Sequence, residues 1–199
     1  MSEISVYFSL GTNLGDRLAN LAEAERRLNT ALGACARSKS GIYETPAWGF
    51  EGEDFLNCVL RYDLPRDIFL RPLPRPILAE SSFNPAASHH PFSSEMTEEQ
   101  ALALLDTVKE IETAMGRVQN VQYDAQGRRI YHSRIIDIDI LFIGTQRFSL
   151  PRLSVPHPLM AQRDFVMVPL RDVATPELVS AFPEIFDVGS RPSGATSEI

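Results

Sequence analysis

Cysteine, tryptophan and long apolar runs are scarce in this 199-residue chain, and the scarcity excludes whole classes of protein. The two cysteines, Cys35 and Cys58, lack metal-ligand spacing and read as reduced packing residues of a reducing compartment. No apolar run approaches the ~20 residues of a membrane-spanning helix. Met1-Ser2-Glu3 leads into a strand-like segment without a basic, apolar leader, so a cytoplasmic location and no membrane partner are expected. Basic residues are in deficit: 19 Lys and Arg against 26 Asp and Glu leave a net charge of -7, which argues against a general nucleic-acid binder. Any attraction for an anionic ligand must then come from a local cluster of arginines. The Gly11-Thr12-Asn13-Leu14-Gly15 turn also lacks the Gly-Lys-Ser/Thr of a phosphate-binding loop.

What the chain does contain is an acidic strand. Arg134-Ile135-Ile136-Asp137-Ile138-Asp139-Ile140-Leu141-Phe142 is apolar and β-branched apart from its charges. Alternate residues of a strand share a face, which puts Asp137 and Asp139 side by side, with Cα atoms roughly 6.6 Å apart, and Ile136, Ile138 and Ile140 on the other face. Two neighbouring anions repel and are costly to bury, and a hard divalent cation such as Mg²⁺ reconciles them. A solvated acidic strand face is the plain alternative. Arg117, Arg128, Arg129 and Arg134 upstream, and Val155-Pro156-His157-Pro158 through Arg163 and Phe165 downstream, add planar phosphate-binding donors. Phosphoryl transfer needs positioning and charge neutralisation rather than a side-chain nucleophile, and this set supplies both.

Helical spacing of Leu18, Leu21, Leu28 and Leu32 predicts a helix over 16–32, ended by Gly33, with Asn13 as its cap. Thr97 and Gln100 form a capping-box pattern before a second helix over 98–115, ended by Gly116. Segments 4–10, 34–43, 54–63 and the acidic run read as strands, and 163–174 as a short helix carrying Phe165. Two helices interleaved with about four strands predict an α+β two-layer sandwich, within one domain over 1–185. Residues 65–96 hold six of the 14 prolines and the pair His89-His90, and read as an insertion; 186–199 read as a free tail.

Four blocks in order give this chain a family resemblance: Leu10-Gly11-Thr12-Asn13-Leu14-Gly15-Asp16-Arg17, Tyr43-Glu44-Thr45-Pro46-Ala47-Trp48-Gly49, Phe55-Leu56-Asn57, and Arg134 to Phe142 with Val155 to Leu170. They resemble the hydroxymethyldihydropterin pyrophosphokinases, which transfer diphosphate from ATP to a pterin alcohol. The resemblance implies a ferredoxin-like fold with an antiparallel sheet and helices packed on one face. It implies a pterin pocket of Thr45, Pro46, Trp48 and Asn57, with Phe55 and Phe165 sandwiching the ring and Asp137 near the substrate. Asp137 and Asp139 would hold Mg²⁺, expected as two ions. Arg117, Arg134, His157 and Arg163 would face the ATP phosphates, with Glu112, Ile140, Arg152 and Ser154 toward the nucleoside. Arg117, Arg134, Asp137 and Asp139 carry the catalytic roles, and a monomer acting on small molecules alone is expected. Gln119 and Asn120 depart from the family's basic loop, where Arg128 and Arg129 are candidates to restore the charge and Tyr131 to replace a loop aromatic. Two other classes stay open: a binding protein without turnover, and a metal-dependent nuclease, which the acidic balance disfavours.

Overall fold

The computed structural model describes residues 3–47, 50, 52–65, 95–118, 122–123, 129–130, 132–187 and 197–198. Most of the proline-rich stretch therefore lies outside the described residues. Its element order begins β1 (Glu3–Thr12), α1 (Arg17–Leu32), β2 (Ser38–Lys39), β3 (Tyr43–Thr45), β4 (Phe55–Pro65) and α2 (Glu98–Ala114). After short β5 (Gln122–Tyr123) and β6 (Arg129–Ile130) come β7 (Asp137–Ile143), β8 (Phe148–Ser149) and β9 (Ser154–Val155). Helices α3 (Asp164–Val173), α4 (Pro176–Ala181) and α5 (Pro183–Phe186) follow, and then β10 (Ser197–Glu198).

The main sheet runs β10-β3-β4-β1-β7, with β2 also on β4, and every pairing is antiparallel. Its two central strands are apolar on both faces, which explains why both faces are covered. On the first face Val6, Phe8 and Leu10 of β1, Leu60 of β4 and Ile138 of β7 meet Leu21 and Leu28 of α1 and Leu104 and Val108 of α2. On the second, Tyr7, Val59 and Phe142 meet Val166 and Leu170 of α3 and Phe182. Helices thus pack on both faces, which corrects the expectation of helices on one face; Asp137 and Asp139 suggested a wet second face, but only one end of it is wet.

Local chemistry sets the helix ends. Asp16, rather than Asn13, caps α1, its Oδ1 accepting the Ala19 N–H at 3.0 Å, and Gly33 closes the helix in the left-handed conformation at φ 58°. The Thr97 capping box forms as the spacing predicts, with the Thr97 N–H donating to Gln100 at 2.8 Å. Three further expectations change. Gly11 belongs to β1 rather than to a turn, Cys35 is exposed, and Ser197–Glu198 pair with Tyr43–Glu44, so the tail is not wholly free. Cys58 does pack in the core, and burial pushes its thiol up to about 12.

Candidate active site

Three neighbouring strands build the floor of a cleft. The register sets Gly11 opposite Asn57 on one side and Asp137 on the other, and Ser9 opposite Asp139. Each is one residue out of phase with the core positions Leu10, Cys58 and Ile138, so the second face turns from apolar to polar where α3 stops covering it. The cleft is open to solvent and is lined by Ser9, Gly11, Thr45, Pro46, Phe50, Phe55, Asn57, Arg134, Asp137, Asp139, Arg163 and Phe165.

Its apolar end is built for a flat ring. Phe55 and Phe165 both line it, as does Asn57, whose Nδ2 donates to Thr45 Oγ1 at 2.9 Å. Gly11 makes room for that amide: a Cβ there would stand 2.9 Å from Asn57 Oδ1. Asn13, 1% exposed, ties the cleft's two loops together. Its Nδ2 donates to the Glu53 carbonyl and to Ser133 Oγ, each at 3.0 Å, and its Oδ1 accepts the Arg134 N–H at 2.7 Å.

The charged end is asymmetric. Arg117 and Arg134 each bond a separate oxygen of Asp137. Burial pushes the Asp137 carboxyl up, but the two guanidiniums outweigh this and hold it below the ordinary aspartate range. Among the described residues Asp139 has no such partner. Burial first, and then the neighbouring Asp137, push it above the ordinary range, and His157, with Nε2 4.0 Å away, offsets this only in part. A β-bulge helps to seat that histidine. Where β1 steps from Phe8 to Tyr7, β7 steps from Ile140 to Phe142, and the carbonyl of the extra Leu141 accepts the His157 N–H at 3.0 Å.

Behind β7 lies fully buried Glu112. It accepts the Ile138 N–H at 2.7 Å, bonds Arg117, and has the Lys109 ammonium 2.9 Å from its other oxygen. Burial pushes its carboxyl up against the pull of Lys109 and Arg117. Two carboxylates flanked by arginines are a poor home for a soft metal, and no cluster of three or more His, Cys, Asp and Glu occurs among the described residues. They suit Mg²⁺, which keeps waters and takes substrate phosphate oxygens as its remaining ligands. Asp139, which no guanidinium or ammonium of the described residues pairs, is the donor such an ion would satisfy.

Most predicted site residues converge. Thr45, Pro46, Phe55, Asn57, Arg134, Asp137, Asp139, Arg163 and Phe165 line the cleft, while His157 and Arg117 stand against its carboxylates. Others do not enter it. The Ile140 side chain is core, Glu112 is shut behind β7, exposed Arg152 pairs with Asp106, and Ser154 pairs with Ser149 in a short hairpin. Trp48, Gln119, Asn120, Arg128 and Tyr131 lie outside the described residues, as does the Arg129 side chain. Sequence reasoning missed Ser9, Gly11 and Phe50. The first two are visible only once the pairing register is known, and Phe50 sits in an irregular loop with no periodic signal.

The profile of the 7,8-dihydro-6-hydroxymethylpterin-pyrophosphokinase family matches residues 7–72 and 78–175. A 2-amino-4-hydroxy-6-hydroxymethyldihydropteridine pyrophosphokinase of Porphyromonas gingivalis is 37% identical over 174 residues, covering 85% of this chain and 90% of the relative. Proteins of the same name from Methylorubrum extorquens and Aquifex aeolicus are 32% and 29% identical, over 87% and 85% of this chain and 84% and 79% of their own lengths. A crystal structure described as HPPK-DHPS in complex with substrates superposes with a TM-score of 0.52 at 13% identity. It covers 93% of this chain, which spans 44% of that one, and it supports the mixed helical and antiparallel-sheet fold alone.

Proposed function

This chain belongs to the 7,8-dihydro-6-hydroxymethylpterin-pyrophosphokinase family, the pyrophosphokinases of folate biosynthesis, and on that premise we propose how its cleft moves diphosphate from ATP to the pterin alcohol. The observation that carries the reading is one cleft lined by two chemistries: the Asn57 amide with the Phe55 and Phe165 rings, and paired carboxylates with guanidiniums.

The pterin slides between Phe55 and Phe165, and Asn57, with Thr45 and Pro46 beside it, reads the polar edge of the heterocycle. Stacking supplies affinity, and unpaired amide groups reject rings with the wrong edge. Trp48 is a further pterin contact that the family resemblance implies. ATP lies along the charged end, its phosphates taken by Arg117, Arg134 and Arg163 and by a hydrogen bond from His157. The nucleoside lies toward β7, the edge strand of the sheet, where Ile140 contributes its backbone because its side chain is buried. Glu112 holds Arg117 in place, and Arg152 and Ser154 complete the nucleoside side. Asp137 and Asp139 would hold Mg²⁺, two ions in this reading, which supplies neutralisation of phosphate charge when bound.

In the reaction the hydroxymethyl oxygen attacks the β-phosphorus in line. The new O–P bond forms as the bond from that phosphorus to the α-phosphate oxygen breaks; AMP leaves with that oxygen, and the hydroxyl proton passes late to solvent. Such a loose transition state gains little from early deprotonation, so His157 donates to a phosphate oxygen rather than acting as base. Arg117 and Arg134 exchange Asp137 for the phosphates and absorb charge where it develops.

The β-α-β-β-α-β run of β1, α1, β3, β4, α2 and β7 fits a ferredoxin-like core, to which α3–α5 add a second covering layer. The reading also holds the chain to be a single-domain cytoplasmic monomer with an insertion at 65–96 and no nucleic-acid or membrane partner; no described helix is long and apolar enough to cross a membrane. The test is AMP formation from ATP, with and without the pterin alcohol and Mg²⁺. Release of AMP only when all three are present is expected, and pterin-independent ATP cleavage would overturn the reading.

A further inference from the structure

Phe50 is absent from the residues that the sequence pattern brings to the site, yet it lines the cleft. Its ring stands edge-on to Phe55, with centroids 6.3 Å apart and planes at 88°. The space beyond it is closed. A Cβ on Gly52 would come 2.7 Å from the ring's Cε2 and 3.1 Å from Ser133 Oγ, so ring, glycine and Ser133 already fill that corner. Gly52 has no left-handed backbone conformation, and its lack of a side chain is needed for the space alone. The corner is also held from below, since Asn13 bonds both the Glu53 carbonyl and Ser133 Oγ.

We infer that Phe50 is a specificity-determining residue of the pterin side. Its ring is the end wall of the stacking slot and sets the angle at which Phe55 meets the heterocycle, and Gly52 fixes how far that wall can retreat. The inference rests on the proposed pterin reading of the cleft and deepens it. An edge-to-face aromatic pair prefers this perpendicular geometry, so a displaced Phe50 leaves Phe55 free to tilt. Removing the wall and pushing it have different consequences. Phe50→Ala opens the slot, whereas Gly52→Ala keeps the ring but forces it to shift.

Titration calorimetry of each protein with the pterin alcohol, with an alkylated pterin alcohol, and with a non-hydrolysable ATP analogue tests this. Phe50→Ala is expected to weaken binding of the parent pterin roughly three- to tenfold. It should also narrow the preference for the parent over the alkylated compound. Gly52→Ala is expected to weaken both pterins without narrowing that preference, and affinity for the ATP analogue stays within about twofold in each variant. Phe50→Leu, which keeps an apolar wall, should fall between wild type and Phe50→Ala, and it gives the same reading should the alanine variant fold poorly. An unchanged preference in the Phe50 variants, or an equal loss for pterin and ATP analogue, would leave Phe50 as packing and overturn the inference alone. Failure of the unaltered protein to bind the pterin would overturn the proposed function and this inference with it.

Discussion

The two faces of the central sheet are made by the same three strands, yet they do opposite work. Toward α1 and α2, Leu10, Cys58 and Ile138 are buried among aliphatic side chains. Toward the cleft, their immediate neighbours Gly11, Asn57 and Asp137 meet open space and charge. The dry face gains stability in proportion to the apolar area it hides, without direction. The wet face holds an arrangement that burial alone disfavours: Asp139 sits close to Asp137 without a close cation of its own among the described residues. A one-residue step along β1, β4 or β7 therefore separates what keeps the chain folded from what the folded chain is for.

Substitutions should obey that division, and the largest effects test it hardest. On the dry face, Leu104→Ala removes a fully buried side chain and is expected to lower unfolding free energy by about 2–5 kcal/mol. Turnover per folded molecule should hardly change. Denaturant titration paired with active-site-normalised rates checks both halves, and a matching collapse in turnover would show that the two faces are coupled.

On the wet face, Asp139→Asn should reduce turnover at least about a hundredfold, a barrier increase of about 2.7 kcal/mol. Its effect on stability runs the other way. A carboxyl raised by burial and by Asp137 favours the fold when protonated, and that contribution is lost as pH rises through its raised value. At neutral pH and without metal, the asparagine variant is expected to melt no lower than wild type, and the two curves should converge toward pH 4. Asp137→Asn should match it in turnover and differ in stability. Asp137 is held low by Arg117 and Arg134, so its contribution is present above the ordinary aspartate value of 3.8 and lost as pH falls through the depressed one. Its asparagine variant is thus expected to melt lower at neutral pH. Melting temperatures of both variants across pH 3–8 decide, and equal shifts in one direction would erase the distinction.

At the apolar end of the cleft, Asn57→Ala is expected to weaken pterin binding by about 1–3 kcal/mol and to leave ATP-analogue affinity unchanged. Calorimetry with each ligand separates a substrate-reading amide from one that only supports Thr45. The smallest effect concerns residues 66–94. They follow Pro65, which pairs with Glu3 at the end of β1 away from Gly11 and the cleft. Exchanging them for a short Gly-Ser linker should keep turnover within about threefold and stability nearly unchanged, since closure entropy rises slowly with loop length. A collapse in rate would tie the far end of the sheet to the chemistry.

Much of this division is legible in the residues. The alternation of Asp137 and Asp139 with Ile136, Ile138 and Ile140 states that one face of β7 is dry and the other charged, because strand periodicity is local. Caps are local as well, and Thr97 with Gln100 reads correctly, as does Gly33. Asn13 misled for an instructive reason: it is a good cap by type, but its amide is used 40 and 120 residues away, at Glu53 and Ser133. No pattern near position 13 reports that.

Local spacing and residue chemistry by themselves determined the long strands β1, β4 and β7, the helices α1 and α2 and the charged face of the acidic strand, and the four-block resemblance pointed to the family. Only the tertiary structure decided which neighbours those residues meet. Register set Ser9 and Gly11 beside the carboxylates, and the two-sided burial of β1 and β4 brought α3 onto the second face. Among the described residues the same assembly gave Asp137 two guanidiniums and Asp139 none, put Glu112 behind the strand, and set Phe50 against Gly52 and Phe55. The physical reason is range: periodicity and capping act within a few residues, whereas charge, packing and steric fit act across whatever distance in sequence the fold happens to close.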